Sequence, residues 1–193
     1  KDREVKLTAA KEAFEAFLKA NPDHELSSSA EIELANVLIE RGQARVLDAE
    51  RSATAAEEKG KLFEEARGLY AEAKGALEKA AEKYRSALRE MQKGGIERTQ
   101  PAVVRKREQL QQDLVQTELH LATVAYQTAK TYPADGEEFK TQMQAAADLY
   151  RGLFERYGHR LAALYARMWE GRCYKELKDK KKAIAILNEI LVQ

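Results

Sequence analysis

The chain is 193 residues long, and 33 Lys and Arg stand against 32 Asp and Glu, a formal net charge of +1. That balance supplies no field for nucleic acid or an anionic membrane, no apolar run approaches the roughly 18 residues of a membrane span, and a single cysteine, Cys173, excludes an internal disulfide or a cysteine-based metal cluster. Ala, Glu, Leu, Lys and Arg make up 111 of the 193 residues, with only three prolines and ten glycines, a composition of long helices that excludes a sheet-rich fold.

Breaks fall at Asn21-Pro22-Asp23, Arg41-Gly42, Gly94-Gly95 to Pro101, Tyr132-Pro133 to Gly136, Tyr157-Gly158 and Lys178-Asp179. Between them the pattern predicts seven helices. The first covers about 2–20, with Ala10, Phe14, Phe17 and Leu18 on one face. The second starts near Ser28, where Ser28 and Glu31 have the spacing of a capping box. Residues 43–60, rich in Ala, Glu and Arg, read as its extension with a poor buried face. The third covers about 61–92. The fourth opens at Pro101, a favoured first-turn position, and runs to about Thr131. The last three span about 137–157, 160–177 and 180–192.

The third helix carries two interleaved series seven residues apart: Phe63, Tyr70, Leu77, Tyr84, Met91 and Ala66, Ala73, Ala80, Ala87. A seven-residue period keeps one seam facing a partner, and alanine at alternate positions lets the backbones approach. The fourth helix offers Leu110, Leu114, Thr117, Leu121 and Val124 as the facing seam. Its second stripe, Val115, Leu119, Ala122, Tyr126 and Ala129, predicts packing on two sides. With a short linker the two form an antiparallel hairpin over 61–131. Some 32 residues make an arm of about 45–50 Å, which is expected to project.

Sliding the chain by 136 residues superposes two segments without a gap. Ala10, Phe14, Phe17-Leu18 and Pro22 fall on Ala146, Tyr150, Leu153-Phe154 and Gly158. Ala30, Ala35, Leu38 and Gly42 fall on Ala166, Gly171, Tyr174 and Lys178. Small residues mark where helices approach closely, and large ones a turn away fill the gap. Gly171, Tyr174, Ala183 and Leu187 have the spacing of the tetratricopeptide repeat, a helix-turn-helix unit of about 34 residues that this pattern resembles. Arg167 occupies the position of that repeat's first-helix tryptophan, and Trp169 lies two residues on. Two units are lengthened, between Gly42 and Ala66 and between Ala129 and Ala146. The link from Pro22 to Ala35, like that from Gly158 to Gly171, is 13 residues. In that longer link the repeats are similar to those of bacterial envelope proteins of the outer-membrane-assembly and Tol-Pal accessory type.

The resemblance implies an all-α, right-handed tetratricopeptide-like solenoid of seven helices over 1–193, with the 61–131 hairpin inside it. It also implies a slice of a longer repeat protein and, through the envelope relatives, a cell-envelope location. The last unit stops at Gln193, short of its terminal turn, which predicts an exposed apolar edge for a further repeat or a second copy.

Candidate chemistry weighs against catalysis. His24, His120 and His159 have no second ligand at metal spacing and read as exposed or capping residues. Cys173 has no nearby histidine to activate it and reads as a small core residue. The carboxylates read as solvated ion pairs three or four residues from Lys or Arg, as with Glu78 and Glu82 beside Lys79 and Lys83. Lys178-Asp179-Lys180-Lys181-Lys182 reads as a solvated turn and helix start. No enzyme activity, cofactor or metal is expected.

In the family the first helix of each unit lines the concave groove. The resemblance therefore places Ser29, Ile32, Asn36, Ile39 and Glu40 there from the second helix. It places Gln116, Leu119, Thr123, Tyr126 and Gln127 from the fourth, and Tyr165, Met168, Arg172, Lys175 and Glu176 from the sixth. That groove is apolar and aromatic, with a basic patch at Arg172 and Lys175. A family subtype grips a C-terminal carboxylate with Lys and Asn; here only Asn36 fits and Ile32 stands where the Lys would be, so that clamp is not expected. The resemblance implies a scaffold binding a protein or peptide in this groove, with no nucleic acid and no membrane insertion. The alternative is an oligomerising element acting through the hairpin arm.

Overall fold

A computed structural model describes residues 2–51, 54–93, 100–158 and 160–192. They form seven helices: α1 (Asp2–Ala20), α2 (Ser27–Ala49), α3 (Ala56–Lys93), α4 (Pro101–Ala129), α5 (Glu137–Tyr157), α6 (Leu161–Glu176) and α7 (Lys180–Val192). No strand occurs among the described residues. Each helix packs on the next, and α4 also touches both α2 and α6. The even helices therefore lie side by side as one layer of a solenoid, and the odd helices form the other.

The helix boundaries match the periodicity except around α2 and α3. Residues 43–49 do continue α2, but 56–60 begin α3 after a turn at Glu50 and Arg51. Gly42 is no break: it lies buried inside α2. A Cβ there would stand 2.5 Å from Cε1 of Tyr70, so only glycine admits that ring. The weak apolar face of late α2 is compensated by charge. Arg41 and Arg45 donate to Glu4 of α1 at 2.9 and 3.1 Å, and Arg45 reaches Glu65 of α3 at 2.8 Å. The expected capping box does not form. The helix starts one residue early with Leu26 at the cap and no side-chain cap bond, and Glu31 turns instead to Lys83 at 3.1 Å. The expected turn at Gly94-Gly95 lies outside the described residues, as do His159 and Gln193.

The heptad seam of α3 is buried from Ala66 through Tyr84, but α2 is its more extensive partner and α4 its second. The seam is wedged between two helices rather than zipped to one. Beyond Tyr84 α3 has no buried residue, and α4 has none before Leu114. The free arm is therefore the last turns only, about 14 Å of α3 and about 20 Å of α4, held by Leu88 and Leu110 against Tyr84 and Leu114. Both stripes of α4 are used. Leu121 and Val124 join the α2–α3 core around Tyr70 and Leu77. Val115, Leu119, Ala122, Tyr126 and Ala129 join the core of α5, α6 and α7 around Met143 and Tyr150.

The two superposable segments do become equivalent helix pairs, α1–α2 and α5–α6. Ala146, Tyr150 and Leu153 are buried, whereas α1 has no buried residue, because only α2 packs on it. At Gly171 an added Cβ would meet Leu187 at 3.1 Å, the close approach of α6 and α7 that the spacing implied. At the end of α6 Lys178 takes a left-handed φ of 63°. Its N–H bonds the carbonyl of Lys175 at 3.1 Å and that of Asp179 the carbonyl of Tyr174 at 3.0 Å, the pairing that closes a helix through a glycine-like residue.

Three carboxylates depart from the solvated reading. Glu31, Glu118 and Glu170 are buried. Glu118 of α4 accepts from Arg85 of α3 at 2.6 Å and from Arg156 and Tyr157 of α5, both at 3.2 Å. Glu170 is paired with Arg167, which also holds Glu189 of α7 and lies 4.9 Å over the Phe154 ring. The partners of Glu31 and Glu118 come from other helices, which sequence spacing along one helix could not reveal.

Candidate functional site

The even-numbered layer presents its side chains between α4 and α6. At the N-terminal end of α6, Leu161, Ala162 and Tyr165 face Gln116, Leu119, His120 and Thr123 of α4 across a crevice of about 550 Å³. Leu161 and Tyr165 are 83% and 48% exposed, so the crevice is open and apolar along its α6 wall.

One further turn along α6 stands an aromatic cluster. The Trp169 ring packs edge-on to Tyr126 at 5.2 Å, stacks on Tyr150 at 6.1 Å and tilts toward Tyr165 at 6.1 Å. The Arg172 guanidinium lies 4.7 Å over Trp169 and 5.7 Å over Tyr126. Arg172 and Lys175 are exposed and form no ion pair among the described residues. Below them the Tyr126 hydroxyl donates to Glu176 at 3.2 Å, and Lys130 holds the same carboxylate at 3.3 Å. Burial, together with the Glu176 charge, pushes the Tyr126 phenol up to about 12. Tyr150 shares a hydroxyl contact with Thr123 at 3.2 Å, which ties α5 to the groove floor.

Two polar atoms in this region are buried without a partner: Nε1 of Trp169 and Nδ1 of His120. His120 is met at Nε2 by the Gln116 amide nitrogen at 3.1 Å. Burial holds its imidazole below the usual value, opposed by the Glu33 carboxylate. A buried polar group left unpaired is destabilising by about 1–3 kcal/mol.

Of the residues the resemblance placed in the groove, Leu119, Thr123, Tyr126, Tyr165, Met168, Arg172 and Lys175 lie on α4 and α6. Tyr165, Met168, Arg172 and Lys175 are exposed, whereas Leu119 and Tyr126 are buried and belong to the floor. On α2 the corresponding side chains are already engaged within the fold. Asn36 sits beside Glu33 at 3.5 Å, Ile39 packs into the α2–α3–α4 core, and the carboxylate of Glu40 is taken by Arg3 of α1. Sequence reasoning missed Leu161, Trp169 and His120. The signal was available for two of them: Leu161, Tyr165, Trp169 and Arg172 recur at four, four and three residues, one stripe of a helix.

His24 and Cys173 lie away from this crevice. Nδ1 of His24 accepts from the Leu26 N–H at 3.1 Å and its ring meets Phe17 edge-on, the capping role the sequence suggested. Cys173 is fully buried, and burial pushes its thiol up to about 12. Among the described residues no group of His, Cys, Asp or Glu could hold a metal ion, and no helix is long and apolar enough to cross a membrane.

An all-α solenoid with one layer of alternate helices open to a ligand is the architecture of a repeat interaction domain. The family model for the tetratricopeptide repeat-like domain matches residues 3–112, and that for the tetratricopeptide repeat matches residues 165–193. The first covers more than half of the chain, which belongs to the tetratricopeptide repeat-like family. No curated protein matches it. Domains of this kind generally mediate protein–protein interactions and are typically non-catalytic.

Proposed function

We propose that the chain is a non-enzymatic scaffold that binds an extended segment of a partner protein in the groove between α4 and α6. The observation that supports this most is the coincidence, on α6, of an open apolar crevice wall and two exposed cations that form no ion pair among the described residues. Glu4, Glu118 and Glu170 are taken up by arginines inside the fold, whereas Arg172 and Lys175 stand exposed beside the apolar crevice. The test is a selection of random displayed peptides on the protein, repeated on Leu161→Glu with Tyr165→Glu. Those two side chains project from the fold, so helicity by circular dichroism should be unchanged. Peptides recovered by the parent and rejected by the variant support the groove; equal recovery by both refutes it.

A second surface favours self-association. Ile184, Leu187 and Leu191 on α7 are 58%, 39% and 83% exposed, an apolar stripe where a further helix would pack. Tyr70 and Tyr150 hold the position of Leu187 in the preceding units and are fully covered. Light scattering across a concentration series should show a mass above the monomer that Leu187→Glu with Leu191→Glu abolishes. A monomer at all concentrations removes this reading.

A further inference from the structure

We infer that the segment bound in this groove is acidic, with an apolar anchor side chain about five residues from its carboxylates; this rests on the α4–α6 groove being the binding site. The chemistry is carried by the donors. Arg172 and Lys175 lie three residues apart on the outward side of α6 and have no carboxylate partner among the described residues. The nearest cation on α4, Lys130, is already neutralised by Glu176. Arg172 is also preorganised. Trp169 and Tyr126 lie against the guanidinium, and the Tyr126 hydroxyl engages part of it, so the remaining N–H groups are held in place for a carboxylate and little rotamer freedom remains to be lost on binding.

The orphan atoms have the same sign. Trp169 Nε1 can only donate. With the Gln116 amide nitrogen donating to Nε2 of His120, the imidazole proton sits on Nδ1 and makes that atom a donor too. These two donors are buried beneath the wall; the donors open to a ligand are those of Arg172 and Lys175, and the nearby Glu176 carboxylate is occupied by Tyr126 and Lys130. A ligand rich in acceptors fits such a wall, and carboxylates fit Arg172 and Lys175 in particular.

Polarity along the groove fixes the order. The apolar crevice lies at the Leu161–Tyr165 end and the free cations at the Arg172–Lys175 end. Roughly ten helical residues separate their centres, about 16 Å, which an extended strand spans in about five residues. Glu33 faces the His120 end, where an acidic residue of the ligand would be repelled. The anchor therefore belongs in the crevice and the acids on α6.

The test uses synthetic fluorescent peptides with a leucine separated by four residues from a Glu-Glu pair, alongside versions with Gln-Gln for the acids or Ser for the leucine. Anisotropy is read against the parent protein, Arg172→Gln with Lys175→Gln, Lys175→Gln alone, and Tyr165→Ser. Lys175 makes no contact that folding depends on, so that single variant isolates charge from packing. The acidic peptide should bind at least about tenfold more tightly than the Gln-Gln version, as expected for losing charged hydrogen bonds. The double variant should erase that difference, Lys175→Gln should reduce it, and added salt should weaken it. If binding needs the leucine and Tyr165 but is indifferent to the acids, the groove stands and its acidic preference is overturned. If the acidic peptide does not bind, or binds without regard to Tyr165 and to both cations, the acidic preference is overturned and the groove with it.

Discussion

Adding one methyl group to the chain should have opposite effects at two glycines. In Gly42→Ala the new Cβ would lie 2.5 Å from Cε1 and 2.9 Å from Cδ1 and Cζ of Tyr70. Tyr70 is fully buried between α2, α3 and α4, so its ring cannot swing away as the end of a flexible chain would. Replacing a helical glycine with alanine gains about 1 kcal/mol, and overpacking a tight core loses about 1–3 kcal/mol. A contact this short belongs at the upper end, leaving a net loss of about 1–2 kcal/mol. In Gly68→Ala nothing lies within 4 Å of the new Cβ, and the same substitution on the exposed face of α3 should gain about 1 kcal/mol. With a urea m value on the order of 2 kcal/mol/M, the two midpoints should separate by about 1 M, read by far-ultraviolet circular dichroism. Tyr70→Leu combined with Gly42→Ala should recover part of the loss, since it removes the ring that obstructs the methyl. Stabilisation of Gly42→Ala to the same extent as Gly68→Ala would refute the packing of Tyr70 over α2.

Lys178→Gly should raise stability in urea unfolding by about 0.5–1 kcal/mol, because it relieves a φ of 63°; the ion pair it removes, with Asp135, is largely exposed. Arg167→Met should lower stability by about 3 kcal/mol at neutral pH, since it strands the buried carboxylate of Glu170. Burial already raises the Glu170 pKa, so the folded state binds its proton more readily than the unfolded chain. The deficit should therefore shrink as pH falls, in thermal melts across a pH series; a deficit that grows on acidification would contradict it. His120 carries the reverse sign. Its imidazole is held below 6.5 by burial, so the unfolded chain takes up the proton first, and stability is lost as pH falls below 6.5 until the folded-state value is passed. His120→Gln should flatten that part of the curve relative to the parent protein.

The helices were legible because their signals are local. Pro101 opens α4 at its first turn, the seven-residue series from Ala66 to Tyr84 is buried as spaced, and the two stripes of α4 serve two cores. What was not legible depends on which helix lies opposite. The seam of α3 cannot say whether α2 or α4 covers it. Ser28 and Glu31 have capping spacing, but Lys83, 52 residues away from Glu31, outcompetes the cap. Glu40 occupies a groove position by register, yet Arg3 reaches it from α1, because at the first unit an outer helix closes over that end of the layer. Exposure was legible on α6, where it follows the stripe of a single helix. It was not legible on α2, where neighbours decide.

The position of tryptophan links stability to binding in this chain. Arg167 stands where the repeat pattern has a tryptophan, and it fills that place with charge: it compensates Glu170, reaches Glu189 of α7 and covers the Phe154 ring. With α6 and α7 locked by that pairing, the indole two residues further on packs on the other side of α6, against the edge of the core. It turns about 200° around the helix from Arg167, at roughly 100° per residue, into the open layer. There Trp169 gathers Tyr126, Tyr150 and Tyr165 and carries the Arg172 guanidinium on its face. The departure from the repeat pattern is therefore one exchange with two consequences: an ion pair replaces an aromatic inside the fold, and the aromatic becomes the platform on which the exposed Arg172 guanidinium rests.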